Sequence, residues 1–308
     1  MNPPPLLENA FVGASFNSLF HTPAFFNLHA TAESAYFEWA PDRAVVANIH
    51  FTSHGEGLWR SPARGTYAGY AVEPGLRLRQ FAEFHTAVQA RLAERGARRL
   101  EVLPAPMAHD PVAFSNQFQI LRSSGFEIST SDLNYTLAVD ATPLGERMSY
   151  GNLKRLRKCT REGLLAEPLP ISELPAVYET IAANRASKGH TVSMTLSQLE
   201  TMAAQLPDAI QLFGCRDGEQ LAAAGLCLRL NPQVLYVFYW GDRPGYEQFS
   251  PVVAVADAIY RFAQEQGIAL LDAGTSTVDR DINHGLIEFK RALGFTESLK
   301  LRMTKVLP

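Results

Sequence analysis

Read as a string of apolar and polar positions, the chain runs through one set of signals twice. Leu78, Phe81, Phe84, Val88 and Leu92 follow helical spacing and predict a helix over residues 77–95, stopped at Gly96. An apolar run at 99–103 reads as a buried strand. Residues 111–124 return to helical spacing and stop at Gly125, and residues 132–140 alternate as a strand. The second half repeats the order. It has a helix ending at Gln266-Gly267, a strand over 268–273, a helix over 284–293 stopped by Gly294, and a closing strand over 297–305. The glycine stops lie 267 − 96 = 171 and 294 − 125 = 169 residues apart, so the two copies keep register within two residues. A period one domain long points to two copies of one fold rather than a solenoid.

The remaining segments fill in each copy. Residues 16–28 predict a helix, 36–39 a short strand, 43–52 a β-rich apolar strand, and 57–72 a strand region broken by glycines. In the second half a basic helix over 152–162 ends at Gly163. Ser172 opens a helix to about 186, and a further helix covers 195–206. Strands follow at 210–215, 221–230 and 234–240, the first two joined by Asp217-Gly218. Ser250 reads as an N-cap with Pro251 at the first helical position. A proline-containing connection at 142–145 marks the boundary between domains 1–145 and 146–308. Helix–helix–three strands–helix–strand–helix–strand is a mixed α/β (α+β) order, not the strict alternation of a doubly wound sheet.

Composition narrows the class. At 308 residues and 46% hydrophobic content, the chain is long enough for two buried cores. Three scattered cysteines (Cys159, Cys215, Cys227) argue against a disulfide framework and for a reducing, cytoplasmic setting. The Met1–Pro5 start lacks the basic and apolar regions of a signal peptide, and no apolar run approaches the roughly 20 residues that span a bilayer. Net charge is −3. Residues 1–150 carry eleven arginines and no lysine against fourteen acids, and residues 151–308 carry seventeen of each sign. Neither half is basic enough for general nucleic-acid affinity, so no DNA partner is expected. One local basic run, Lys154 to Lys158 with Arg161, stands at the junction.

Two motifs carry a resemblance. Asn152-Leu-Lys-Arg-Leu-Arg-Lys-Cys-Thr-Arg-Glu-Gly163 is similar to a basic helix that opens a second domain. Leu271-Asp-Ala-Gly274, followed by Gly285-Leu-Ile-Glu-Phe-Lys-Arg-Ala-Leu-Gly-Phe295, is similar to a closing D-x-G … G-L-x-x-F-K-x-x-F/L-G signature. With the element order, they resemble the tandem GNAT acyltransferase fold of the FemAB-like and cellulose-biosynthesis-type (BioF2-like) acetyltransferase groups. The resemblance implies two GNAT-like domains, each a mixed central sheet flanked by helices. It implies N-acyl transfer from acetyl- or another acyl-coenzyme A to an amine on a small molecule or a peptidoglycan or cell-envelope precursor, with no metal. Two departures accompany it. The loop expected to cradle the coenzyme A pyrophosphate, residues 241–250, has one internal glycine, Gly245, and the first-half counterpart, Arg64 to Gly69, does not fit either. Residues 171–208 have room for two ordinary helices and not for the long coiled coil of tRNA-dependent Fem ligases, which weighs against a tRNA partner. A Fem-type aminoacyl transferase and a non-catalytic binding protein stay open as alternatives.

Candidate roles follow. The helix start at Ser250, with Arg243, Gly245 and Arg291, is the expected anion site for the donor, since free N–H groups and the helix dipole favour phosphate there. The resemblance places Lys290 near the donor or the developing oxyanion. Tyr239 is a candidate acid toward a leaving thiolate, and Asp242 or Asp272 a candidate acceptor of the amine proton. Simple strand alternation puts Tyr236 and Trp240 on one face and Tyr239 on the other. Arg155, Lys158, Arg185 and Trp240 are candidate substrate contacts, with Lys188 and His190 near Arg185. Cys159 sits among cations that lower a thiol pKa, but no His/Asp partner is evident. His50 and His54, four apart on a strand, stand about 13 Å apart and cannot share one metal ion.

Overall fold

In a computed structural model the protein is described over residues 5–278 and 281–308, so most of the Met1–Pro5 start read above lies outside the described residues. The chain divides into two compact units. One comprises Met1–Leu133, Thr277–Asp281 and Ser298–Pro308, and the other Asn134–Ser276 and Ile282–Glu297. The first change from one unit to the other along the chain falls at 133/134.

The first unit contains β1 (Leu6–Glu8), α1 (Pro23–His29), β2 (Ser34–Trp39), β3 (Ala47–Ser53), β4 (Leu58–Ser61) and β5 (Ala71–Val72). It continues through α2 (Leu78–Glu94), β6 (Arg99–Val102), α3 (Pro111–Ser123) and the start of β7 (Glu127–Ala138). Strands β1 to β4 pair antiparallel in order, β5 joins β3, and β4 pairs parallel with β6 across α2. The helix expected over 16–28 forms only at α1. Pro23 has no N–H to give to a preceding turn, and Thr22 Oγ1 accepts from Phe25 N at 3.2 Å, so the helix starts there.

The second unit runs from the end of β7 through α4 (Leu144–Arg147), α5 (Tyr150–Arg161), β8 (Ala166–Leu169), α6 (Leu174–Ser187) and α7 (Leu196–Gln205). Then come β9 (Ile210–Asp217), β10 (Gln220–Asn231), β11 (Val234–Asp242), α8 (Val252–Glu265) and β12 (Leu270–Thr275). After a two-stranded ribbon, β13 (Thr277–Val278) with β14 (Asp281–Ile282), of which Thr277–Asp281 belongs to the first unit, come α9 (His284–Ala292) and β15 (Thr296–Val306). Strands β8 to β11 are antiparallel, β11 and β12 are parallel across α8, and β12 pairs antiparallel with β7. From Ser298 onward β15 belongs to the first unit, where Met303↔Val102 through Val306↔Arg99 pair it with β6. Ser172 lies in a 3-10 turn, and Glu173 takes the N-cap position of α6.

The duplicated glycine stops share one geometry. Gly96, Gly125, Gly267 and Gly294 all have positive φ, between 65° and 94°. The next residue's N–H returns to the carbonyl five positions back: Ala97 to Leu92, Phe126 to Leu121, Ile268 to Ala263 and Phe295 to Lys290. This closes the helix end, needs a left-handed residue that glycine supplies without strain, and turns an apolar residue back into the core. Those four apolar residues are buried.

Each unit has its own core. In the first, Phe81, Phe84, Val88 and Leu92 of α2 pack on Phe37, Ile49, Phe51 and Leu100. In the second, α8 is buried over most of its circumference, setting Val253, Val255, Ile259 and Tyr260 against Phe213, Cys227, Leu235 and Leu271. Each such large aliphatic or aromatic side chain contributes about 1.5–3 kcal/mol by leaving water. No helix among the described residues is long and apolar enough to cross a membrane.

Candidate active site in the second unit

The parallel pair β11 and β12 is short. Its register is Val234↔Leu270, Leu235↔Leu271 and Tyr236↔Asp272, and among the described residues it stops there. β11 continues to Asp242 on β10 alone, and β12 kinks and carries on against β7 at Thr275↔Asn134. The carboxyl ends of two parallel neighbours therefore part, which is where an α/β sheet opens to a ligand.

The strand on one lip is bulged. Opposite β10, Leu226 pairs with Tyr239 and Cys227 with Val237, so Phe238 is an extra residue. Leu226 and Leu228 share a face, which puts Tyr239 and Tyr236 on the same face, while Gly225↔Trp240 puts Trp240 on the other. The expectation from simple alternation, Tyr236 with Trp240, is therefore corrected by one inserted residue. Trp240 packs edge-on against Phe289 and Phe295, at ring separations of 5.5 and 6.1 Å. The hydroxyl of Tyr239 hydrogen-bonds Ser193 Oγ, and burial pushes its pKa up.

On the other lip a buried chain of polar groups joins the D-x-G and F-K motifs. Asp272 Oδ1 accepts from Asn134 Nδ2 (2.8 Å) and from Gly274 N (2.7 Å). Gly274 is left-handed, with φ +70°, and its carbonyl together with that of Thr275 accepts from Lys290 Nζ at 2.9 and 3.0 Å. The ammonium also lies 5.1 Å from the centre of the Tyr135 ring. Asp272 and Lys290 are each about 1% exposed. The motif residues thus fix the backbone of the β12 end as well as placing a cation there.

The loop at 241–250 closes on itself. Asp242 Oδ1 accepts from Val252 N at 2.6 Å and so caps α8 from the preceding strand. Ser250, expected as the N-cap, instead sits at φ +50° and donates its hydroxyl to Glu247 O. The Gly245 N–H meets the Glu247 carboxylate at 3.0 and 3.1 Å. The N–H groups of Tyr246, Phe249, Ser250, Val253 and Ala254 donate to carbonyls of the loop and first turn. Burial raises the Asp242 carboxyl to about 6, against the opposing effects of the Val252 N–H and nearby Lys188 and Arg155. Among the described residues its Oδ2 has no hydrogen-bond partner, so this carboxylate is poised to exchange a proton near neutrality.

The other expected contacts divide. On α5, Lys158 Nζ donates to Gln248 O (3.2 Å) and stands 4.4 Å from the Phe249 ring centre, and Arg155 donates to Asn152 Oδ1 (2.9 Å). Both lie beside the loop. Cys159 donates to Phe249 O, and burial raises its pKa, which makes it a thiol rather than the activated thiolate its neighbours suggest. Arg243 turns away to Glu179, Thr180 and Leu221 O. Arg291 pairs with Glu297 and Glu288 at the surface. Arg185 is half-buried on the last turn of α6 and Lys188 bonds Asn184, whereas His190 is exposed. Asn184, Ser193 and Glu247 were not singled out from sequence. Asn184 donates to Asp242 O at 2.6 Å and ties α6 to the end of β11. Among the described residues no group of three or more His, Cys, Asp or Glu is placed to hold a metal ion.

No family model matches the chain, and no curated protein matches it in sequence. Solved structures do share its shape. It is similar to FemX at 12% identity, covering 94% of this chain and 92% of that one with a TM-score of 0.75. It is similar to L-PGS from Bacillus licheniformis at 11% identity, covering 93% and 87% with a TM-score of 0.62. It is also similar to a tandem GNAT protein from the clavulanic acid biosynthesis pathway, at 15% identity, 98% coverage of both chains and a TM-score of 0.52. Identities this low speak to fold alone, and that fold is the tandem GNAT, FemAB-like arrangement of mixed sheets flanked by helices.

Proposed function

We propose that this chain is a transferase that moves an acyl group from an activated carboxyl donor to an amine, with its chemistry in the second unit. The observation that carries the reading is the parting of β11 from β12 after Tyr236↔Asp272, with Lys290 clamped at one lip and Asp242 at the end of the other. A fixed ammonium at the strand end stabilises charge developing on the carboxyl oxygen. Asp242 takes the amine proton, and Tyr239, held by Ser193, orients or protonates the departing group. Arg155, Lys158, Arg185 and Trp240 line the approach for the substrates.

One observation bears on the donor. The residues at 241–250 suit a pyrophosphate poorly, because the N–H groups of Arg243, Gly245, Tyr246, Phe249 and Ser250 are already used and two carboxylates, Asp242 and Glu247, stand among them. A donor gripped through that loop, as acyl-coenzyme A is expected to be, meets like charge and, at those five positions, no vacant N–H. This favours a second reading, in which the donor is an aminoacyl ester of the Fem type, recognised elsewhere. The name of one similar structure, a putative lysylphosphatidylglycerol synthetase (TM-score 0.59), supports a cell-envelope molecule as acceptor.

The test supplies acetyl-coenzyme A and aminoacyl-tRNA separately, each with a panel of amines including muropeptide precursors, and detects the acylated amine by mass spectrometry. Product from either donor that disappears in Lys290→Met supports transfer. Product from acetyl-coenzyme A overturns the reading of the loop. If no donor gives product, the enzyme reading fails and a non-catalytic binding protein is left.

A further inference from the structure

The first unit carries a buried polar face that acyl transfer in the second unit does not use. Side chains alternate along β2 and β3. Ala35, Phe37, Ile49 and Phe51 point into the core under α2. On the opposite face Tyr36 pairs across the strands with His50, and Glu38 with Asn48. Such a polar face ordinarily meets water. Here all four residues are buried, none more than 1% exposed, beneath the segment that leads into α1. Tyr36 donates to His21 O at 2.6 Å, and its ring stacks parallel to that of His50 with 6.1 Å between centres.

The cover leaves this face short of donors. Asn48 gives its amide N–H to Asn17 Oδ1, and its own Oδ1 has no partner among the described residues. His50 Nε2 lies 2.8 Å from Phe20 O. A carbonyl only accepts, so Nε2 carries the proton and Nδ1 presents a lone pair, also without a partner. Burial holds His50 near 4, so the ring is neutral at ordinary pH. Glu38 accepts from Val12 N (3.0 Å) and Gly13 N (2.7 Å) and has no cationic partner among the described residues. Each buried acceptor left unmet costs about 1–3 kcal/mol, and a carboxylate costs more. Two of them on one strand face, beside a buried carboxylate that has no cationic partner among the described residues, describe the complement of a cation that donates hydrogen bonds.

We propose that this face is a binding site for a small molecule bearing a protonated amine. The ammonium donates to Asn48 Oδ1 and His50 Nδ1 and is neutralised by Glu38. Residues two apart on a strand stand about 7 Å apart. A nitrogen giving two bonds of about 2.8 Å spans most of that. Val12, whose N–H meets Glu38, is exposed, so this carboxylate lies one layer below the surface. A buried water also offers two protons to the lone pairs but brings no positive charge to the carboxylate, which two backbone N–H groups alone now serve.

Ethanolammonium and its neutral isostere ethylene glycol separate the two. The wild-type protein is titrated with each while the imidazole nitrogen signals of His50 and the melting temperature are followed. Ethanolammonium is expected to move the Nδ1 signal and raise the melting temperature, and ethylene glycol to do neither. Glu38→Gln, checked for native circular dichroism, is expected to weaken ethanolammonium binding about ten- to a hundredfold. Asn48→Leu serves as a second variant. Equal responses to the two probes, no response to either, or unchanged affinity in a folded Glu38→Gln overturns the proposal. So does a crystal structure grown with ethanolammonium in which a single water occupies these two acceptors. Should neither variant fold, the comparison of probes on the wild type decides alone.

Discussion

The side-chain ammonium of Lys290 holds the backbone carbonyl of Gly274 at 2.9 Å, fastening α9 to the end of β12 from within the fold. The same contact fixes a positive charge where the two parallel strands part. Lys290→Met is therefore expected to act twice. It should lower the transfer rate about a hundredfold or more by removing the charge, and lower stability by about 1.5–3 kcal/mol by leaving two carbonyls unmet. Turnover and urea midpoint measured on one preparation check both. A variant that loses stability at full turnover assigns the lysine to the fold alone.

Gly274 is the other half of that contact. At φ +70° it occupies backbone space that other residues enter at a cost, and a Cβ there would come 3.2 Å from the Tyr236 hydroxyl. Gly274→Ala is expected to destabilise the second unit by about 1–2 kcal/mol. Adding Tyr236→Phe should recover part of the loss, since the hydroxyl is the nearest atom but the backbone strain remains. A double-mutant cycle in denaturant measures the recovery.

What could be read from sequence was what local chemistry dictates. The helices over 78–94 and 284–292, and the glycines that end them, were legible because spacing and a left-handed stop are properties of short segments. The site was legible only as strand ends. The Phe238 bulge depends on how β10 meets β11, so periodicity within one strand paired Tyr236 with Trp240 where the structure pairs it with Tyr239. Ser250-Pro251 has the composition of a cap, but the cap comes from Asp242, ten positions from the N–H it binds. The short strand β8 contains Pro168, which hides it from propensity and suits its place at a sheet edge.

Asp242 makes the second unit respond to pH. Its carboxyl sits at about 6 when folded, above the ordinary value near 3.8. Between these values the folded chain holds a proton that the unfolded chain releases, so stability falls as pH rises from about 4 to about 6 and is then level. The drop is at most about 3 kcal/mol. Asp242→Asn keeps an oxygen for Val252 N and should flatten the slope. Denaturation followed through Trp240, with Trp39 and Trp59 replaced by Phe, reports it.

The first unit should slope the other way. His21 and His50 are held near 4 and His85 near 3, chiefly by burial. Unfolded, each binds a proton around 6.5, so stability is lost as pH falls from about 6.5 through about 4, by up to about 3 kcal/mol for each of His21 and His50. Trp240→Phe leaves Trp39 and Trp59 as reporters of this unit. Parallel slopes in the two reporter proteins would contradict both assignments.

The return of β15 to the first unit has a consequence for synthesis. A ribosome releases Ala35 through Phe126 long before Leu301 and Met303, which belong to the same core. The earlier-made portion therefore waits, with the free edge of β6 unpartnered, while some 170 further residues are translated. The core of the first unit is thus completed only by the last strand to be made, after every residue of the second unit has been translated.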